Sequence, residues 1–228
     1  MTVLRRYLTA PAPPATAQAA QERCELCAAA IPADHDHLVD LTSRSLPCAC
    51  RPCYLLFVPA DERVSAVVGR GPAPREEAVG ARRFAAVPRE HVALPDFPLS
   101  DLDWSALDVP VRLAFVFVNS SLGQPVALYP SPAGAAESQL PPEVWAKVLA
   151  RHPYTAQLPA DVQALLLHRS PDGPEAYAVP IDVCYRLVGL VRLHWRGFDG
   201  GQQAWAAIDG WLAQVRENAG VPVGAAHG

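Results

Sequence analysis

The chain has 228 residues, half of them hydrophobic and 18% charged, with a formal charge of −4 and a pI near 6. That balance supports a packed core and excludes a disordered chain, and it argues against a dedicated nucleic-acid binder, which would be basic with clustered Lys and Arg. No apolar run approaches the roughly 18–20 residues that span a bilayer.

The N-terminal stretch MTVLRRYLTAPAPPATAQ lacks the continuous apolar segment of a secretory signal. The expected compartment is therefore the cytoplasm, where clustered cysteines more often ligate metal than form disulfides. Only one lysine, Lys147, stands against eighteen arginines, a bias that reads as coding preference. Residues 1–20 read as a flexible Pro/Ala arm. Residues 21–59 form a Cys-rich metal-binding segment ending in YLLFV (54–58), an apolar run that reads as a strand. A linker follows over 60–82, rich in Gly, Pro and charge.

Residues 83–218 carry the pattern of a mixed α+β domain with an antiparallel sheet, followed by a disordered tail over 219–228. VRLAFVFVN (111–119) and PVALYP (125–130), joined by a short turn with Gly123, predict a hairpin. YPSPAGAAES (129–138) reads as an ordered connection after that strand. PPEVWAKVLARHP (141–153) predicts a helix with Val144, Trp145 and Val148 on one face. DVQALLLHR (161–169) fits either a helix or a buried strand. VRLHWRGF (191–198) alternates as a strand would, with Val191, Leu193 and Trp195 on one side. QQAWAAIDGWLAQVREN (202–218) predicts a helix with Trp205, Ile208, Leu212 and Val215 on its stripe. The glycines of FDGG ahead of it read as a cap.

The chemistry concentrates in the cysteines. Five of the six lie between positions 24 and 53, as Cys24-x2-Cys27 and Cys50-x2-Cys53 with Cys48 beside the second pair. Two residues between thiolates let both sulfurs reach one ion at about 2.3 Å, and a second pair completes a tetrahedron. Such a site folds a segment too small to build its own core. The expected ligands are Cys24, Cys27, Cys50 and Cys53, holding zinc; an iron–sulfur cluster is the alternative, since clusters also use four cysteines. Arg23, Arg44 and Arg51 could offset the thiolate charge.

Cys48 gives five thiols for four positions, so it either replaces Cys50 or stays near the site as a free thiol. In DHDH (34–37), His35 and His37 share a side of an extended segment and could ligate metal; a polar turn is the competing reading. Cys184 reads as a small buried thiol. The chain holds no phosphate-binding motif, no GxSxG and no conspicuous carboxylate pair, so nothing in it marks an enzyme.

The stretches ERCELC, HLVDLTSRSLPCACRPCYLLF, LYPSPAGAAES and VPIDVCYRLVGLVRLHWRGFDGG resemble an uncharacterised bacterial family encoded in nickel–iron uptake hydrogenase gene clusters of GC-rich bacteria. The resemblance runs from about residue 3 to residue 218. It implies a cytoplasmic accessory or assembly role, with a hydrogenase subunit or maturation protein as partner. The iron–sulfur alternative implies electron transfer to or from the same enzyme. That family usually has Gly after CELC, where this chain has Ala28, a residue less tolerant of positive φ.

Overall fold

In a computed structural model of the protein, the described residues are 21–59, 83–197 and 199–220. The Pro/Ala arm, the linker, and the tail beyond Gly220 lie outside them. The fold is α+β, with a three-stranded and a six-stranded sheet.

The larger sheet is antiparallel throughout, in the order β4 (Val92–Ala93), β9 (Gly173–Pro180), β8 (Gln163–Ser170), β5 (Leu113–Asn119), β6 (Gln124–Ser131), β7 (Gly134–Glu137). Helices cover both faces. On one side α4 (Ile181–His194) and α5 (Gly201–Asn218) pack over Leu113, Phe115, Ala164, Leu166, Tyr177 and Val179. On the other, α2 (Asp101–Ala106) and α3 (Pro142–Leu149) contribute Trp104, Trp145 and Val148 against Val116, Leu165, Leu167 and Ala178.

This layering explains the ambiguity of residues 161–169. A strand with apolar layers on both faces has no polar side to alternate with, so its sequence is a plain apolar run. Ala164, Leu165, Leu166 and Leu167 are all fully buried, and the segment is the central strand β8.

The predicted hairpin of 111–130 is β5–β6, turning through Gly123 at φ +64°. The ordered connection at 129–138 is the turn of a second hairpin, β6–β7, with part of the stretch in the two strands themselves. Gly134, at φ +105°, opens β7 in a backbone conformation that favours glycine. Residues 191–194 are not a strand but the end of α4, which runs through His194 and is capped by Trp195; Phe198, the last residue of the predicted strand, lies outside the described residues. Leu187, Val191 and Trp195 recur at i, i+4 and are buried, whereas Leu193 is 64% exposed. The alternation over 191–196 was a fragment of this longer helical stripe. The final helix matches its expected stripe at Ile208, Leu212 and Val215, and Trp211 joins them in the core.

One ion-pair network ties α5 to the sheet. Glu175 on β9 lies opposite His168 on β8, accepting from Arg216 Nη2 at 2.8 Å and lying 3.2 Å from His168 Nδ1. Burial raises the Glu175 carboxyl, but hydrogen bonds from His168 and Arg216 outweigh it and hold the group at about 2, against 4.5 ordinarily. A depressed carboxylate stabilises the fold above its ordinary pKa and loses that contribution as pH falls through the folded value. The expected effect, discounted for a side chain 27% exposed, is about 1–2 kcal/mol. Melts of the parent and Glu175→Gln should therefore differ at pH 6 and converge near pH 2; a gap independent of pH contradicts the assignment.

Candidate metal centre

The smaller sheet, in the order β2 (Cys48–Ala49), β1 (Asp36–Asp40), β3 (Phe84–Ala86), carries the cysteines together with α1 (Arg51–Phe57). Its core is small, built from Leu38, Ala49, Tyr54, Val58, Phe84 and Ala86. Asp40 closes the β1–β2 hairpin. Its carboxylate accepts from the backbone N–H groups of Thr42 and Ser43, and from Arg83 Nη2 at 2.8 Å just ahead of β3.

Residues 54–57 of YLLFV are helical, with Val58 as the C-cap, contrary to the reading of the run as a strand. Cys50 is the N-cap and Pro52 falls in the first turn, where its missing N–H and fixed φ suit a helix start. Tyr54 and Val58, four apart, are buried, while Leu55, Leu56 and Phe57 are exposed.

The structure brings Cys24, Cys27, Cys50 and Cys53 together, all four sulfurs lying within 4.8 Å of one another. Cys27 Sγ and Cys50 Sγ are 3.6 Å apart. Four thiolates around one ion at about 2.3 Å stand about 3.8 Å apart, so the arrangement fits a single tetrahedral ion. Cys24 and Cys53 are 1% and 8% exposed, Cys50 is half-buried and Cys27 is exposed.

The first pair sits in a knuckle turn in which Ala28 N–H donates to the Cys24 carbonyl at 2.8 Å. Arg23 Nη1 donates to the Ala28 carbonyl at 3.0 Å, and Arg51 reaches Asp36 and lies over the Tyr54 ring. These arginines thus brace the backbone and sheet around the cysteines. Ala28 is held at φ +61°, a left-handed conformation that costs an L-residue about 1 kcal/mol relative to Gly. Ala28→Gly should accordingly raise the stability of the metal-bound protein by about 1 kcal/mol. A lowered melting midpoint in that variant would show that the turn does not store this strain.

The electrostatics of the thiols point to a cation. Burial raises Cys24, but the backbone N–H groups of Cys50, Leu26 and Cys27 outweigh it and bring that thiol down to about 6. Cys53 is pushed up to about 12 by burial and by the neighbouring thiols Cys27, Cys50 and Cys24. Burial and the neighbouring thiols both resist deprotonation of the set, and a bound cation would offset that resistance.

Cys48 is not in this group. It clusters instead with His35 and His37. The His35 side chain is buried ahead of β1 and His37 lies within the strand, so DHDH leads into a strand and is not simply a hydrated turn. Cys184, on the buried face of α4, is 1% exposed, as a small buried thiol should be. It lines an apolar cavity of about 320 Å³ with Phe115, Phe117, Ile181 and Val188. No sequence signal marked Asp182, whose carboxylate stands 3.3 Å from His37 Nδ1.

The fold and site define a metal-knuckle protein: a four-cysteine centre, able to hold a metal ion, on a small sheet docked against an antiparallel α/β/α sandwich. Residues 23–82 and 73–219 match a family of unknown function (DUF5947), and the chain belongs to that family. No curated protein and no solved structure matches it. Among the described residues, no helix is long and apolar enough to cross a membrane.

Proposed function

We propose that the protein is a non-catalytic accessory or assembly factor of a nickel–iron hydrogenase system, acting in the cytoplasm, with a structural zinc ion in the four-cysteine centre. The observation that carries the metal reading is the convergence of four thiols within 4.8 Å. An iron–sulfur cluster spreads its cysteines over more than one iron and so holds them farther apart than one ion does. The compact set therefore supports zinc over the electron-transfer alternative. All four positions of a tetrahedral ion would be filled by protein, which is the pattern of a structural site.

The hydrogenase context rests on the resemblance of the four quoted stretches. An interaction role is supported by α1, where Leu55, Leu56 and Phe57 stand 40%, 74% and 41% exposed directly after the fourth ligand. An apolar group of this kind beside a rigid metal knuckle suits a protein partner, here a hydrogenase subunit or maturation protein. The test is affinity capture from cells expressing the hydrogenase gene cluster. The full chain should retain such a protein, and Leu56→Asp should lose it while keeping its metal. Equal retention by both, or capture of no hydrogenase-system protein, overturns the proposal.

A further inference from the structure

We propose that His35, His37 and Cys48 form a second metal site, distinct from the four-cysteine centre, for a borderline divalent transition ion held by two imidazoles and one thiolate. Strand register builds it. His37 on β1 lies directly opposite Cys48 on β2, and directly paired residues of an antiparallel ladder project from the same face. His35, two residues before His37, falls on that face as well. One ligand atom from each of the three lies within 4.8 Å of the others, and the two rings sit 4.7 Å apart, centroid to centroid.

The second observation is a buried nitrogen without a partner. The His35 side chain is 6% exposed, and its Nε2 is the one buried side-chain polar atom among the described residues that makes no hydrogen bond. A buried acceptor left unsatisfied costs about 1–3 kcal/mol, and a metal ion would occupy it.

The other ring nitrogens are already engaged as metal-binding histidines require. His35 Nδ1 lies 2.9 Å from the Pro32 carbonyl, and His37 Nδ1 lies 3.3 Å from the Asp182 carboxylate. Partners of this kind fix the tautomer and leave Nε2 for a metal. Glu22 stands 3.5 Å from His35 Nδ1, and Glu25 accepts from the Cys48 backbone N–H at 2.6 Å. Three carboxylates therefore surround the three donors and favour a cation.

Two nitrogens and one sulfur suit Zn²⁺, Co²⁺ or Ni²⁺ rather than Mg²⁺ or Ca²⁺. Three protein ligands leave a fourth position open. His35 and His37 line a polar cleft of about 340 Å³, shared with His91, Arg89 and Arg186, which gives that position room for water or an exchangeable ligand. The four-cysteine centre has no such opening in its ligand set, so only the second site has the form of an exchangeable one.

The test uses the full-length protein, equilibrated with Zn²⁺ and analysed for metal per chain, and with Co²⁺ as a spectroscopic probe. The parent should hold about two ions per chain. His35→Gln, His37→Gln and Cys48→Ser should each hold about one, with at least a tenfold loss of affinity at the second site. Their Co²⁺ spectra should keep the four-thiolate bands, which also shows that the knuckle remains folded, and lose the bands of the mixed nitrogen–sulfur site. A parent that holds one ion, variants that still hold two, or variants that lose both ions would overturn the proposal.

Discussion

Replacing Cys24, Cys27, Cys50 or Cys53 singly with Ser should strip the four-cysteine centre of its ion and make residues 21–59 sensitive to protease. Each change leaves three thiolates and a weak hydroxyl donor, and the affinity loss should exceed about 100-fold, beyond what removing a mere supporting group costs. The structural consequence is large because the local core is small. Beyond the cysteines and Ile31, the knuckle packs on only a few apolar residues of the three-stranded sheet, and structural zinc supplies about 10–16 kcal/mol of folding free energy in comparably small units. Cys48→Ser should leave this centre loaded, since its sulfur belongs to the group with His35 and His37. The four-thiolate Co²⁺ bands and limited proteolysis across the five variants decide the matter, because Cys48→Ser also empties the second site and total metal alone does not separate the two. Loss in Cys48→Ser with retention in Cys50→Ser would move the second pair to Cys48 and Cys53.

The second large effect lies in the sandwich. Trp145 on α3 is 1% exposed, packs in the layer with Val116, Leu165 and Leu167, and donates from Nε1 to Ser138 Oγ at 3.2 Å. Trp145→Ala should cost about 3–5 kcal/mol, through lost burial and the cavity it leaves. That is a large share of a typical total stability of about 5–15 kcal/mol. Leu193→Ala, at a position 64% exposed on α4, should change stability by no more than about 0.5 kcal/mol. Chemical denaturation of the two variants checks both figures. A large cost at Leu193 would mean that it faces the core with Val191, as an alternating strand would place it.

That contrast shows what the sequence could and could not reveal. The CxxC pairs were readable because the geometry that brings two thiols to one ion is set within four residues. The hairpin of β5 and β6 and the final helix were readable because each carries its own period or turn. The two misread stretches begin inside helices, at 54–57 and 191–194, whose buried residues recur at i, i+4 as far as the C-caps Val58 and Trp195. Within YLLFV, Tyr54 and Val58 face inward and the three residues between them do not. Val191 belongs with Leu187, which lies outside the window that seemed to alternate.

The grouping of His35, His37 and Cys48 was harder still. His35 and His37 announce a shared side, but Cys48 joins them only through the register that sets it opposite His37. Nothing local in the sequence fixes that pairing. The supporting carboxylate of Asp182 comes from more than a hundred residues away, at the start of α4.

The central claim is that four cysteines hold a single zinc ion, and X-ray absorption at the metal edge tests it most directly. The measurement is made on Cys48→Ser protein purified without oxygen, in which only the four-cysteine centre remains. The account predicts about one zinc per chain, with four sulfur ligands at about 2.3 Å and no nearby second metal. Iron with acid-labile sulfide and a short iron–iron distance would contradict it.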